Sequence, residues 1–179
     1  ENFVIFDVNG TSAVPSITGS VGDSTAMGIE LEASYAASDY LSFFGNLAYT
    51  KTEYGEGASN PAYGDVTGNK IPGTAPFSLS AGVDYKRPVF GDYEGFAGLD
   101  VSYDSSMYLD AANKIEIDGR ALLNGRIGVN KGPYKAFVFV KNLTDEYYIE
   151  SAFLVPSINS IAPSFGERRT VGLTVACDF

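Results

Sequence analysis

The stretch YEGFAGLDVSY, residues 93–103, sets Tyr93, Gly95, Ala97, Leu99, Val101 and Tyr103 on alternate positions, with Glu94, Phe96, Gly98, Asp100 and Ser102 between them. A β-strand turns successive side chains to opposite faces, so this reads as a strand with one apolar face and one small or polar face. The two tyrosines close the apolar face at its ends. With a rise of ~3.3 Å per residue and a tilt near ~45°, they stand roughly 23 Å apart along a membrane normal. That is close to the ~25 Å apolar band between the aromatic girdles of a membrane barrel.

The same period of two runs through the chain. MGIELEASY (27–35) alternates Met27, Ile29, Leu31, Ala33 and Tyr35 with Gly28, Glu30, Glu32 and Ser34. FSLSAGVDY (77–85) sets Phe77, Leu79, Ala81, Val83 and Tyr85 against Ser78, Ser80, Gly82 and Asp84, and RALLNGRIGVN (120–130) repeats the scheme. The spacing predicts eight strands, at about 1–8, 24–36, 40–54, 75–87, 93–106, 117–130, 134–147 and 167–179. Most exceed the ~5–6 residues usual in soluble sheets. Short turns (36–40, 86–93, 130–134) alternate with long polar links (9–23, 55–74, 107–116, 148–166). Outer-membrane barrels have this asymmetry, with short periplasmic turns and long extracellular loops. Tyr35 and Tyr85 precede short turns and so belong to the periplasmic girdle.

Composition narrows the function classes. The formal charge of -10, from 12 basic and 22 acidic residues, leaves no basic patch for a nucleic-acid backbone, so no nucleic-acid partner is expected. One cysteine allows no intramolecular disulfide, and the absence of histidine removes the commonest general base and transition-metal ligand. A Ser-His arrangement is therefore impossible, and neither enzyme activity nor a cofactor is expected. No apolar run approaches the ~20 residues of a membrane helix, which leaves membrane strands open. ENFVIFDV, at the start, has no basic leader or apolar signal core and reads as a strand already under way.

The face opposite the apolar one carries Glu30, Glu32, Asp84, Asp100, Arg120 and Arg126 among many Gly and Ser residues. These form a candidate lumen-facing polar network. Eight strands could close as a small barrel with a packed interior, with a structural or passive-channel role. The small residues instead look underfilled for a dry core and suit a broad, wet lumen. Composition leaves both closures open.

Four stretches resemble, in order, the C-terminal part of the barrel of TonB-dependent outer-membrane receptors: GIELEASYAASDYLSFFGNLAYTKTEY (28–54), GNKIPGTAPFSLSAGVDY (68–85), FVFVKNLTDEYY (137–148) and GERRTVGLTVACDF (166–179). The resemblance implies an all-β, antiparallel transmembrane segment, about eight long strands of a barrel of about 22. Residues 1–179 would then be the C-terminal part of that barrel, without the plug domain and earlier strands. It also implies the bacterial outer membrane and active import of a scarce nutrient, most often a ferric siderophore. The implied partners are outer-membrane lipid, the rest of the barrel and its plug, the small ligand, and the TonB complex, reached through a region outside these residues.

In such a receptor the long links face outside, where loops on a rigid scaffold carry specificity. Tyr54, Tyr63, Tyr147, Tyr148, Phe153 and Phe165 are the candidate ligand contacts there. Val171, Leu173, Val175, Cys177 and Phe179 form the apolar stripe of a barrel-closing terminal strand. The pairing of segment 1–8 discriminates the two closures, because a small eight-stranded ring would pair it with this last strand.

Overall fold

A computed structural model describes the backbone at residues 2–5, 17–60, 63–155 and 160–178, and side chains at 21–60, 63–152 and 161–178. Its main element is a seven-stranded antiparallel sheet. The strands are β3 (Ser24–Ala36), β4 (Leu41–Tyr54), β7 (Phe77–Phe90), β8 (Tyr93–Asp104), β11 (Arg120–Lys131), β12 (Tyr134–Lys141) and β15 (Thr170–Cys177). They lie side by side in chain order, so the sheet is an up-and-down meander. The first five run 12–14 residues, as the alternation predicts.

The register carries each alternating pattern into its neighbour's. One row on the apolar face runs Leu41, Tyr85, Ala97, Ile127, Val138 and Leu173. The next runs Tyr35, Phe43, Val83, Leu99, Gly125, Val140 and Val171. A slip of one residue in any strand would turn its whole apolar set to the other face. This face is uncovered: Ile127 is 65% exposed and Leu99 45%, although both sit on interior strands. Aromatic side chains gather at both ends of it. Tyr49, Phe77 and Tyr103 lie toward the long links, while Tyr35, Tyr85, Tyr93 and Tyr134 lie toward the short turns.

The buried apolar cluster lies at the long-link end of the sheet, where the end of β4 meets the links. Val21, Tyr54, Ala58, Val66 and Ala111 pack together with Ile71 against them. The links are more ordered than their polar composition suggests. Three contain hairpins: β5 (Ser59–Asn60) with β6 (Gly64–Asp65), β9 (Met107–Tyr108) with β10 (Glu116–Ile117), and β13 (Ile149–Val155) with β14 (Ser160–Phe165).

The expected eighth strand does not join the sheet. In place of a strand over 1–8, β1 (Asn2–Ile5) pairs with β2 (Ile17–Ser20), which lies in the expected link 9–23. Among the described residues the second edges of β3 and β15 are both free, so the sheet is open and the small eight-stranded ring is not formed. The strand expected at 134–147 ends at Lys141, because the chain turns sharply at Asn142 in a left-handed conformation (φ 49°). Glu1, residues 6–8 and Phe179, also assigned to strands from the sequence, lie outside the described residues.

Candidate functional site

The inner face brings part of the expected polar network together. Arg126 on β11 reaches across β8 to Asp84 on β7, with Nη2 2.6 Å from Oδ1. Gly98 lies between them, and a Cβ there would meet both Asp84 Oδ1 and the Arg126 side chain. Arg120 pairs with Asp104 at 3.2 Å, and Asn124 donates to Asp100 Oδ2 at 2.8 Å. The sequence reading missed Asp104 and Asn124 as partners; register alone identifies them, since each sits opposite its partner. Glu30 and Glu32 share this face on edge strand β3 and form no ion pair among the described residues.

The glycines of this face do not leave it bare. Phe44 lies over Gly82, Phe139 over Gly172, and Phe137 crowds Gly128. Gly82 and Gly172 leave room for the rings above them, whereas at Gly128 the Cα and Cβ of Phe137 are what come close. With Phe96, whose ring centroid is 6.0 Å from that of Phe137, these side chains make an apolar floor toward the short turns. A groove of about 920 Å³ opens there, lined by Asp84, Phe96, Asp100, Arg126, Lys135 and Phe139 among others. The lining is thus better filled than its small residues suggest.

The two most distinctive sequence stretches are halves of one joint at the long-link end. Asn142, only 4% exposed, donates from Nδ2 to the carbonyls of Glu146 (2.9 Å) and Glu167 (3.1 Å), and its Oδ1 accepts the Glu146 amide. Its own amide donates to Asn124 Oδ1. Asp145 accepts a forked pair from Arg168 Nε (2.9 Å) and Nη2 (2.7 Å), and the Arg169 amide as well. Those bonds, the Arg168 fork first, hold the Asp145 carboxyl well below the usual carboxylate range. They also push the Arg168 guanidinium up. NLTDEYY therefore locks onto GERR, fixing where β15 begins beside β12. Asn tolerates the left-handed φ and has both a donor and an acceptor to spend, which is why it suits position 142.

The stretch GNKIPGTAP works similarly. Gly68 and Gly73 take positive φ (76° and 74°), and the segment between them straps β4 to the β9–β10 hairpin. Tyr54 donates to the Asn69 carbonyl, Gly73 to the Tyr108 carbonyl, and Asn69 Nδ2 to the Ala111 carbonyl.

The loop aromatics divide by exposure. Tyr147 (62% exposed) stacks on Phe165 (48%) with centroids 4.8 Å apart, and Arg168 lies over the Tyr147 ring. Tyr63 is 40% exposed, and burial with the nearby Asp110 carboxylate pushes its hydroxyl up. Tyr148 is half-buried against Gly166, with Arg120 over its ring. Tyr54, at 7%, is packed into the loop cluster. Of Phe153 only the backbone is described, opposite Ala162. Val171, Leu173, Val175 and Cys177 take the outer face of β15, opposite Val140, Val138, Ala136 and Tyr134. No group of three or more metal-ligating side chains occurs among the described residues.

Residues 1–143 match the family described as TonB dependent receptor-like, beta-barrel. Among solved structures, the chain is similar to the ferric yersiniabactin uptake receptor FyuA of Yersinia pestis, at 22% identity and a TM-score of 0.80 over 91% of this chain and 25% of that one. It is similar to the siderophore receptor PiuA of Acinetobacter baumannii, at 20% identity and a TM-score of 0.70 over 87% of this chain and 22% of that one. BauA, the ferric preacinetobactin receptor of Acinetobacter baumannii, matches all of this chain and 26% of its own, at 17% identity and a TM-score of 0.68. The chain thus spans about a quarter of the length of the structures it matches. All three are receptors.

Proposed function

The chain belongs to the TonB dependent receptor-like β-barrel family, and from that premise we propose that it forms the C-terminal run of strands of an outer-membrane receptor that imports a ferric siderophore or a similar small ligand. The observation that carries this is the two-faced sheet. An apolar face crosses all seven strands between two aromatic rows, and a polar, ion-paired face lies behind it. So large an exposed apolar face needs a cover, and lipid between girdles supplies one. Unpaired strand edges are costly in lipid, so β3 and β15 take partners from the rest of a barrel of about 22 strands. The long-link end then faces outside, where Tyr147, Phe165 and Tyr63 are presented to ligand. The inner groove faces the plug, and energy enters through the TonB complex.

The test is uptake of radiolabelled iron as a panel of ferric siderophores, in cells lacking their own siderophore receptors and supplied with the intact protein carrying this segment. Accumulation of at least one complex, abolished when TonB is deleted, is the expected result. Accumulation that persists without TonB would contradict active import.

A further inference from the structure

On the outer face, at the short-turn end, two cations have no carboxylate within ion-pair distance among the described residues. Arg87 donates to the Tyr85 hydroxyl at 3.5 Å. Lys131 Nζ lies 4.5 Å from the Tyr93 ring centroid and 3.4 Å from its hydroxyl oxygen, and Tyr93 is stacked on Phe90 at 4.5 Å. Neither cation forms an ion pair among the described residues, whereas Arg120 and Arg168, at the long-link end, both do. The register sets Arg87 opposite Gly95, and Gly95 opposite Val129, so Arg87 and Lys131 share one face. Two strand spacings and two residue steps separate them by about 12 Å. Between them Gly95 has no side chain and Val89 leans over it, leaving an apolar floor.

We propose that Arg87 and Lys131, each seated on a girdle tyrosine, bind the phosphates of anionic phospholipids at the short-turn rim. The inference rests on the membrane-spanning part of the reading above. At this level the apolar rows end, so a lipid whose tails lie on Ala97, Ile127 and Val138 brings its headgroup to the two cations. Each keeps N–H donors beyond the one its tyrosine takes, with the charge sign a phosphate needs, and the tyrosine hydroxyls beside them can donate as well. Most of the chain's charge is negative, so an unpaired cationic pair on the lipid face is a local departure from its overall balance.

The test uses the intact protein in nanodiscs of phosphatidylcholine containing graded phosphatidylglycerol, with retained lipid counted by native mass spectrometry. The parent is expected to retain phosphatidylglycerol preferentially. Arg87→Gln and Lys131→Gln should each lower that retention about fivefold. Arg87→Lys should keep most of it, and Lys114→Gln, in a link, all of it. Heat-modifiable gel mobility confirms that each variant is folded. Unchanged retention in the folded Arg87→Gln/Lys131→Gln double variant would overturn the proposal. So would an equal loss in Lys114→Gln, or displacement of the lipid by millimolar inorganic phosphate. Retention of neither lipid by the intact parent would instead sink the membrane reading, and this site with it.

Discussion

Arg126 is bound to Asp84 across an intervening strand, because Gly98 leaves the gap through which the guanidinium passes. Both side chains are about half exposed, at 48% and 42%. Their coupling in a double-mutant cycle of Arg126→Met and Asp84→Asn should therefore be modest, about 0.2–1 kcal/mol. Gly98→Val should abolish it. Equilibrium urea unfolding of the intact protein in lipid vesicles measures both.

Asn142 should prove far more sensitive than its polar character suggests. It is buried, its side chain makes three hydrogen bonds, and it holds a positive φ. Asn142→Ala should cost about 2–4 kcal/mol by the same unfolding measurement, as buried partners lose their bonds. Asn142→Gly, which keeps the backbone conformation at no steric cost, should cost about 1 kcal/mol less.

The Asp145 joint has a definite pH response. Its folded carboxyl is depressed by the Arg168 fork and the Arg169 amide, so its contribution is full above the unfolded carboxylate value of about 3.9. It is lost only as pH falls through the depressed folded value. Hydrogen exchange of the Arg169 amide, corrected for intrinsic rates, should stay protected from pH 7 down to about 4. Asp145→Asn should lower that protection at every pH. Loss of parent protection between pH 7 and 5 would contradict the assignment.

Much of this was legible in the residues themselves. Strict alternation in 77–85, 93–103 and 120–130 marks the strands, since an uncovered apolar face tolerates no slip. The first and third short turns fall as expected, one capped by the Ser38 hydroxyl and one reversing at Gly132. The turn expected over 86–93 shrinks to the reversal at Gly91, because β7 runs on to Phe90. The links were harder to read. Hairpins such as β9–β10 carry no periodicity long enough to see, and Tyr54 is buried by parts of the chain far from it in sequence. The NLTDEYY and GERR stretches were distinctive as strings, but nothing in either one alone announces that Asn142 binds the Glu167 carbonyl. Pairing between distant segments supplies that reason. Likewise the glycines of the inner face read as empty space until Phe44 and Phe139 are seen lying over them.

The two faces should respond oppositely to charge. Ile127 lies mid-strand on the outer face, and Ile127→Arg should cost about 2–4 kcal/mol in a bilayer. Ser102→Lys, on the inner face of β8 between Asp100 and Asp104, should cost less than about 1 kcal/mol. Parallel vesicle-folding titrations of the two variants compare them directly.

Sidedness tests the central claim most directly. In a Cys177→Ser background, Lys114→Cys in the β9–β10 hairpin and Ser38→Cys in the β3–β4 turn are exposed to a membrane-impermeant maleimide. The intact protein in whole cells should label at position 114 without treatment, and at position 38 only after the outer membrane is permeabilised. Equal labelling of both positions in intact cells, or the reverse order, would contradict a transmembrane sheet with its long links outside.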